Sequence, residues 1–402
     1  MKQRRVYLDN SATTVVDPEV VMEMQSYFFD VYGNASSFHY FGRQAKMALN
    51  DARRKIADML NAESEEIFFN GCGTESDNIA IFGILNAYDK KGHIITTKIE
   101  HPAVLYTCKY LEKNGYEVTY LGVNKDGVVL VEDFKKAVKD NTLLVTIMHA
   151  NNEVGSIQPI ENIALELKRI NEERKDKIYF HTDAVQTAGK IRLNVKKLGI
   201  DLLSMSAHKF NGPKGVGALY VKKGVNISPI TFGGHHENGL RPGTENIPYI
   251  VGFAKALEIS HNRIEEYDKR IFSLREKLKK CILDIIPEVV INGSGNKAVS
   301  NILNVSFNYI EGESLLLMLD MKGIAVSTGS ACASGSAEPS HVLSAMSVDP
   351  ISAQGAIRFS FDCHNTEEDV DYVLEVLPEI VSSLRSMSPV WSQKTFESKN
   401  KN

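Results

Sequence analysis

From residue 67 to about 223 the chain alternates short β-rich runs with amphipathic stretches. The β-like runs cover 67–69, 93–99, 117–122, 143–150, 178–183 and 201–206. Helix-like stretches at 75–90, 103–114, 131–139 and 162–174 separate them. Strands spaced by helices in this way predict βαβ units and a mostly parallel sheet, with right-handed crossovers. Several runs are largely apolar rather than alternating, as strands are when both sheet faces are covered. Near Pro248 the texture changes. A long helical pattern from about 250 to 286 carries the chain out of the first domain. Beyond it come strand-like 301–307, helix-like 313–321, strand-like 324–328 and 356–361, and a last amphipathic helix over 367–386. The tail 392–402 is polar and reads as frayed. No internal repeat is visible. The pattern as a whole predicts an α/β fold.

A length of 402 residues suggests two domains. A hydrophobic share of 43% with 24% charged residues is ordinary for a soluble globular protein. The net charge of -4 gives no case for nucleic acid or an anionic membrane as the main partner. The basic start has no apolar run behind it, so no signal peptide is read, and no stretch approaches the ~20 apolar residues of a membrane span. Five cysteines, at 72, 108, 281, 332 and 363, are scattered and show no Cys-x-x-Cys spacing. That argues against a disulfide framework or a zinc site and for a reducing cytoplasm.

Candidate chemistry sits at strand ends. Lys209 follows an apolar run in Ser206-Ala207-His208-Lys209. A lysine there faces the ligand crevice of an α/β sheet, and partial burial suits its amine to Schiff-base chemistry. A solvated surface lysine is the plain alternative. Asp183 ends an earlier run, where it either caps a turn or pairs with a protonated pyridine nitrogen. Together, Asp183 and Lys209 make a pyridoxal-phosphate (PLP) constellation. The turn from Asn70 through Gly71, Cys72, Gly73 and Thr74 to Glu75 offers a phosphate cradle or an ordinary βα turn. Gly212–Gly217 lacks the ending of a nucleotide loop and is rejected as one. His101 follows another strand, as a ring-stacking group or a residue at a helix start. His235 and His236 do not share a helix face and show no third ligand, which argues against a metal.

The segment 327–340 is small, polar and glycine-containing, so it predicts a mobile loop. It carries Cys332 among Ser, Ala and Gly neighbours, which suits a reactive rather than a structural thiol. Arg358 interrupts an apolar strand, either as an ion-pair partner or as a clamp for a substrate carboxylate.

These pieces resemble a known family. The runs Tyr7 to Thr14, Gly73 to Asn78, His149 to Gly155, Ser206 to Lys209 and Ser330-Ala331-Cys332 are jointly similar to NifS/IscS-type cysteine desulfurases. That group lies in the class V aminotransferase family, within PLP fold type I. The resemblance covers about residues 5 to 390. It implies a large PLP-binding domain over 13–262. It also implies a smaller α+β domain from 1–12 and 263–402 that carries the cysteine loop. By resemblance, Lys209 is the Schiff-base lysine, Asp183 the pyridinium partner and His101 the stacking base. Gln186 and Asn152 lie by the phenolic oxygen of the cofactor. Gly73, Thr74, Ser206, Ala207 and His208 belong to the phosphate site, which Thr244 completes from the other subunit of a homodimer. Arg358 and Asn34 bind the substrate carboxylate, and Cys332 is the nucleophile.

The implied activity is removal of sulfur from L-cysteine, giving L-alanine and a persulfide on Cys332. Transfer to an iron–sulfur scaffold or another sulfur acceptor is expected to follow. No intrinsic metal is expected, although Cys332 is placed to ligate a cluster shared with a scaffold. The long cysteine loop and Glu338 to Leu343 favour the long-loop branch over selenocysteine lyases. Another class V enzyme, such as an aminotransferase, would not need Cys332. A sulfur carrier with a vestigial PLP site is the rival from a different class. Cys72 departs from the family pattern.

Overall fold

The computed structural model describes residues 4–293, 297–328 and 340–400, with 395–400 described for backbone alone. Its thirteen described strands are β1 (Val6–Tyr7), β2 (Ile67–Asn70), β3 (His93–Thr97), β4 (Glu117–Leu121), β5 (Thr142–Thr146), β6 (Tyr179–Asp183), β7 (Leu202–Ser206), β8 (Gly217–Val221), β9 (Val289–Asn292), β10 (Ile302–Phe307), β11 (Ile324–Ala325), β12 (Ser327–Thr328) and β13 (Ala356–Ser360). Seven form one sheet in the order β2-β8-β7-β6-β5-β3-β4. Within it only β8 runs against its neighbours; the other pairings are parallel. The expected mostly parallel α/β sheet is therefore present.

Why the strands are apolar on both sides is visible residue by residue. Successive side chains of a strand point to opposite faces. Ile94, Leu144 and Leu202 join one core with Ile84 and Val104, from the helices Gly73–Leu85 and Pro102–Lys113. Their neighbours Ile95, Val145 and Leu203 join the opposite core with Leu49, Ile163 and Phe253. Burying one Leu or Ile in this way contributes roughly 1.5–3 kcal/mol, so a one-residue slip of register is strongly disfavoured.

The helix Ile247–Ile285 runs for 39 residues. Ile247 and Phe253, near its start, pack into the first core. Ile271, Leu278 and Ile282, further along, pack into another core. There the helices Gly312–Met321 and Glu367–Met387 cover the antiparallel sheet β12-β13-β10-β9. β1 pairs in parallel with β11, which brings the N-terminal segment onto this second unit.

Three local expectations change. The run 324–328 divides into β11 and β12, which belong to different sheets. The run 143–150 stops as a strand at Thr146, and the following residues turn into the site described below. The tail is not frayed: Pro389–Asn400 is a helix. Trp391 anchors it, with its ring 5.5 Å from Tyr309 and the Arg385 guanidinium 4.8 Å above it. A Lys394–Glu288 ion pair adds to this. Polar composition hid a single aromatic contact. Two helices near the N-terminus, Pro18–Phe29 and Tyr40–Leu60, were not anticipated. No helix among the described residues is long and apolar enough to cross a membrane.

Candidate active site

Strands β2, β3, β5, β6 and β7 point the same way, so their carboxyl ends share one edge of the sheet. Ligands of open α/β sheets bind at that edge. A cavity of about 490 Å³ lies there, and Lys209, Asp183, His101, Asn152, Gln186 and Arg358 all line it.

Lys209 ends the short 3-10 turn Ala207–Lys209 that follows β7. Its Nζ donates to the carbonyls of Ser11 and Ala12 at 2.6 and 2.8 Å. That N-terminal segment is held in turn by the Thr14 amide on the His208 carbonyl, at 2.9 Å. Asp183 is the last residue of β6, the neighbour of β7. Its Oδ1 accepts from the Val185 amide at 2.9 Å. Burial pushes its carboxyl up to about 6, against the opposing effects of that amide and of the Lys209 charge. Asp77, on the helix Gly73–Leu85, is fully buried and also lines the cavity. Its Oδ1 has no hydrogen-bond partner and lies 3.6 Å from His181 Nε2. Burial and the nearby Asp183 hold this second carboxyl well above its usual range.

The same helix begins at Gly73 with no side chain capping its first amides. Such an end attracts anions. A Cβ at Gly73 would stand 2.9 Å from Val185 Cγ2, so only glycine fits this approach without a shift. Thr74, Ser206 and His208 line the cavity beside it. Ala207 does not: it is fully buried, and its amide donates to the Val216 carbonyl at 3.2 Å.

His101 stands at a helix start and also faces the cavity. Its Nδ1 accepts from the Ala103 amide at 3.2 Å at the start of the helix Pro102–Lys113, and its ring lines the cavity. Burial, then the Lys209 charge, push the imidazole down to about 4, which keeps it neutral. Gln186 Nε2 donates to the Ser11 carbonyl at 3.1 Å. Arg358 reaches the cavity from β13, in the second sheet. It donates to Asp9 Oδ1 at 2.7 Å and to the Asn152 carbonyl at 2.9 Å. Its Nε is buried with no partner.

The family model for class-V aminotransferases matches residues 6–373. The chain belongs to the class-V aminotransferase family. Within it, the chain is 52% identical over 390 residues to a cysteine desulfurase IscS from Methanosarcina thermophila, covering 97% of this chain and 95% of that one. It is likewise 52% identical to a cysteine desulfurase IscS of Clostridium botulinum, over 96% and 97% of the two chains. Among solved structures, a NifS-like protein superposes with a TM-score of 0.88 at 45% identity, covering 95% of this chain and all of that one. SspA in complex with cysteine superposes with a TM-score of 0.79 at 35% identity, over 90% and 100% of the chains.

Other residues singled out in this class-V chain lie elsewhere. Cys332 falls in 329–339, outside the described residues. The flanking Ser327 lines the cavity. Ser340, at the other flank, donates to the buried Glu153 carboxylate at 2.5 Å and caps the helix His341–Ala345. Thr244 is exposed on a loop that an Arg241–Glu75 ion pair of 2.8 Å ties to the Gly73 turn. Asn34 lines a separate open groove with Arg53 and His236. His236 Nδ1 accepts from the Gly243 amide, and its Nε2 lies 4.0 Å from Glu245 Oε2. Four residues were given no role from sequence: Asp9 and Asp77, which lie in the family-like runs, and Glu100 and Lys190. Asp77 carried a legible signal, an acid on a helix whose neighbours Ile79, Ala80 and Ile81 are all core.

Proposed function

We propose that this chain is a PLP-dependent cysteine desulfurase that moves the sulfur of L-cysteine onto Cys332. The observation that supports this most is the meeting of a lysine amine, a buried carboxylate and an uncapped helix end around one cavity. Pyridoxal phosphate asks for an amine near its aldehyde, an anion at its pyridine nitrogen and a seat for its phosphate. Lys209, Asp183 and the Gly73 turn with Thr74, Ser206 and His208 fit those needs in kind. His101 would lie against the ring, with Gln186 and Asn152 by its phenolic oxygen.

When bound, the cofactor supplies an electron sink for the charge left at Cα of an amino acid. The protein's own residues do the rest. Asp183 holds a proton on the pyridine nitrogen, the state in which that sink is strong. Arg358 grips the substrate carboxylate, and its unpartnered Nε leaves a donor for that purpose. Lys209 takes the Cα proton at Nζ, close to the carbonyls that now hold it. Cys332 attacks the substrate sulfur as a thiolate. The C–S bond of cysteine breaks, an S–S bond to Cys332 forms, Cβ gains a proton, and the proton held by Lys209 returns to Cα. The products balance as L-alanine and a persulfide.

The reading extends to a homodimer, with Thr244 serving the partner's phosphate site. Exposed Phe28, Phe29, Tyr32, Phe38, Tyr40 and Phe41 support a covered surface there. It extends also to a cytoplasmic site of action and to an acceptor protein such as an iron–sulfur scaffold. The two separate cores support a domain boundary near residue 262, inside the long helix. Sulfur-labelled cysteine tests the central claim. We expect one label per chain on the Cys332 peptide by mass spectrometry, with matching alanine release. Cys332→Ser should give neither while keeping the cofactor absorbance. Label on Cys72, which lines the cavity, or undiminished alanine from Cys332→Ser, would move the nucleophile elsewhere.

A further inference from the structure

A second cavity, of about 310 Å³, shares Lys209 as a wall with the catalytic one. Lys190 lines it and is only 7% exposed. Among the described residues no carboxylate comes within ion-pair distance of that ammonium. The hydrogen bond it makes to Gln186 Oε1 is long, at 3.5 Å. Burial pulls the ammonium down to about 8, and Asp362 supports its charge only from beyond ion-pair distance; a buried cation with no close counter-ion favours an anionic partner. Tyr267 lines the same cavity, and its hydroxyl is buried with no hydrogen-bond partner. Burial, then Asp362, keep that hydroxyl protonated, so it is a donor in search of an acceptor. Arg270 adds a guanidinium that is spent on the backbone carbonyls of Cys363 and Asn365 rather than on a carboxylate.

We propose that this cavity is a second binding site, for a small carboxylate of amino-acid size. Lys190 and Tyr267 would hold the carboxylate. Asp362, buried in the same wall with one oxygen accepting from Asn211, would face the ammonium group. A cation reading is weaker. Asp362, Cys363 and His364 bring ligand atoms within 4.8 Å of one another. Yet burial pushes the Cys363 thiol up to about 12, and four cationic side chains, Lys190, Lys209, Arg263 and Arg270, line the same space.

The site is wired to the catalytic one. Lys190 has no acceptor atom, so it turns the Gln186 oxygen toward itself and the Gln186 amide nitrogen toward the Ser11 carbonyl. Lys209 donates to that same carbonyl. A carboxylate that draws Lys190 away releases this orientation, and the absorbance of bound cofactor should shift. This coupling rests on the function proposed above, whereas binding in the cavity does not.

The test is calorimetric titration of the holoenzyme with L-alanine. Wild type should take up one more alanine per chain than Lys190→Met. Tyr267→Phe, which removes one oxygen, should weaken that extra site about fivefold. Propionate should compete at it and inorganic phosphate should not. Equal stoichiometry in wild type and Lys190→Met, with no change in Tyr267→Phe, overturns the proposal, and so does phosphate displacing alanine. Should the catalytic reading alone fail, the uptake that depends on Arg358 disappears while the part that depends on Lys190 remains.

Discussion

Replacing Asp183 by asparagine should stabilise the cofactor-free protein while disabling the loaded one. The carboxylate is buried, and the Val185 amide is the hydrogen-bond donor at hand. Its pKa in the fold is raised to about 6, whereas an unfolded aspartate titrates near 3.9. The folded state therefore binds the proton more tightly than the unfolded one. Stability present below about pH 4 is lost as pH rises through about 6, and the loss is constant above that. Two pKa units correspond to at most about 3 kcal/mol. Nearly all of this is lost at pH 8, and about half at pH 5. The asparagine escapes the loss. Urea denaturation of cofactor-free protein should thus show Asp183→Asn ahead by about 3 kcal/mol at pH 8 and about 1.5 kcal/mol at pH 5. Asp77 shares the proton, so the midpoint of the pH dependence belongs to the two carboxyls together. With pyridoxal phosphate added the sign reverses, because the neutral amide no longer answers a protonated ring nitrogen. Equal stability of the two proteins at pH 8, or a variant that holds the cofactor as tightly as wild type, would falsify this account of Asp183.

Other residues give separate readings. Lys209→Ala should purify without the yellow colour of loaded protein and without turnover; a yellow, active variant would sink the cofactor assignment. Arg358→Ala removes a buried cation bonded to Asp9 and Asn152. A loss of about 2 kcal/mol or more corresponds to KM for cysteine rising on the order of 30-fold, with the cofactor absorbance intact. An unchanged KM would leave Arg358 as the partner of Asp9 only. If the proposed homodimer forms, Thr244→Ala should weaken cofactor binding without changing the urea midpoint of cofactor-free protein; unaltered cofactor affinity would remove Thr244 from the proposed phosphate site.

Much of the candidate site was legible in the sequence. Lys209 and Asp183 stand at the ends of apolar runs, and a strand end in a parallel sheet is where ligands bind. Gly73 precedes a helix, and a helix start attracts anions. Residues whose role comes from burial alone were not legible. Lys190 follows a turn in the chain and looks like any surface lysine, until the walls formed by Tyr267 and Asp362 close over it. Glu100 looks like a solvated acid. It is buried under Thr97 and the Met148 amide, and burial carries its carboxyl up to about 8.

The sequence by itself determined most elements of the large sheet and the residue types at their ends. Period-two and period-3.6 patterns depend on neighbours within a few residues, and so does the choice of residue at each strand end. Only the tertiary structure decided who meets whom. The order β2-β8-β7-β6-β5-β3-β4 sets β6 beside β7, and with them Asp183 near Lys209. The antiparallel β8 between β2 and β7 follows from no local pattern. Arg358 and Asp9, 349 residues apart, pair because β13 and the N-terminal segment pack on one unit. Such pairings are selected by burial and hydrogen bonding summed over the whole chain, and that sum has no local signature.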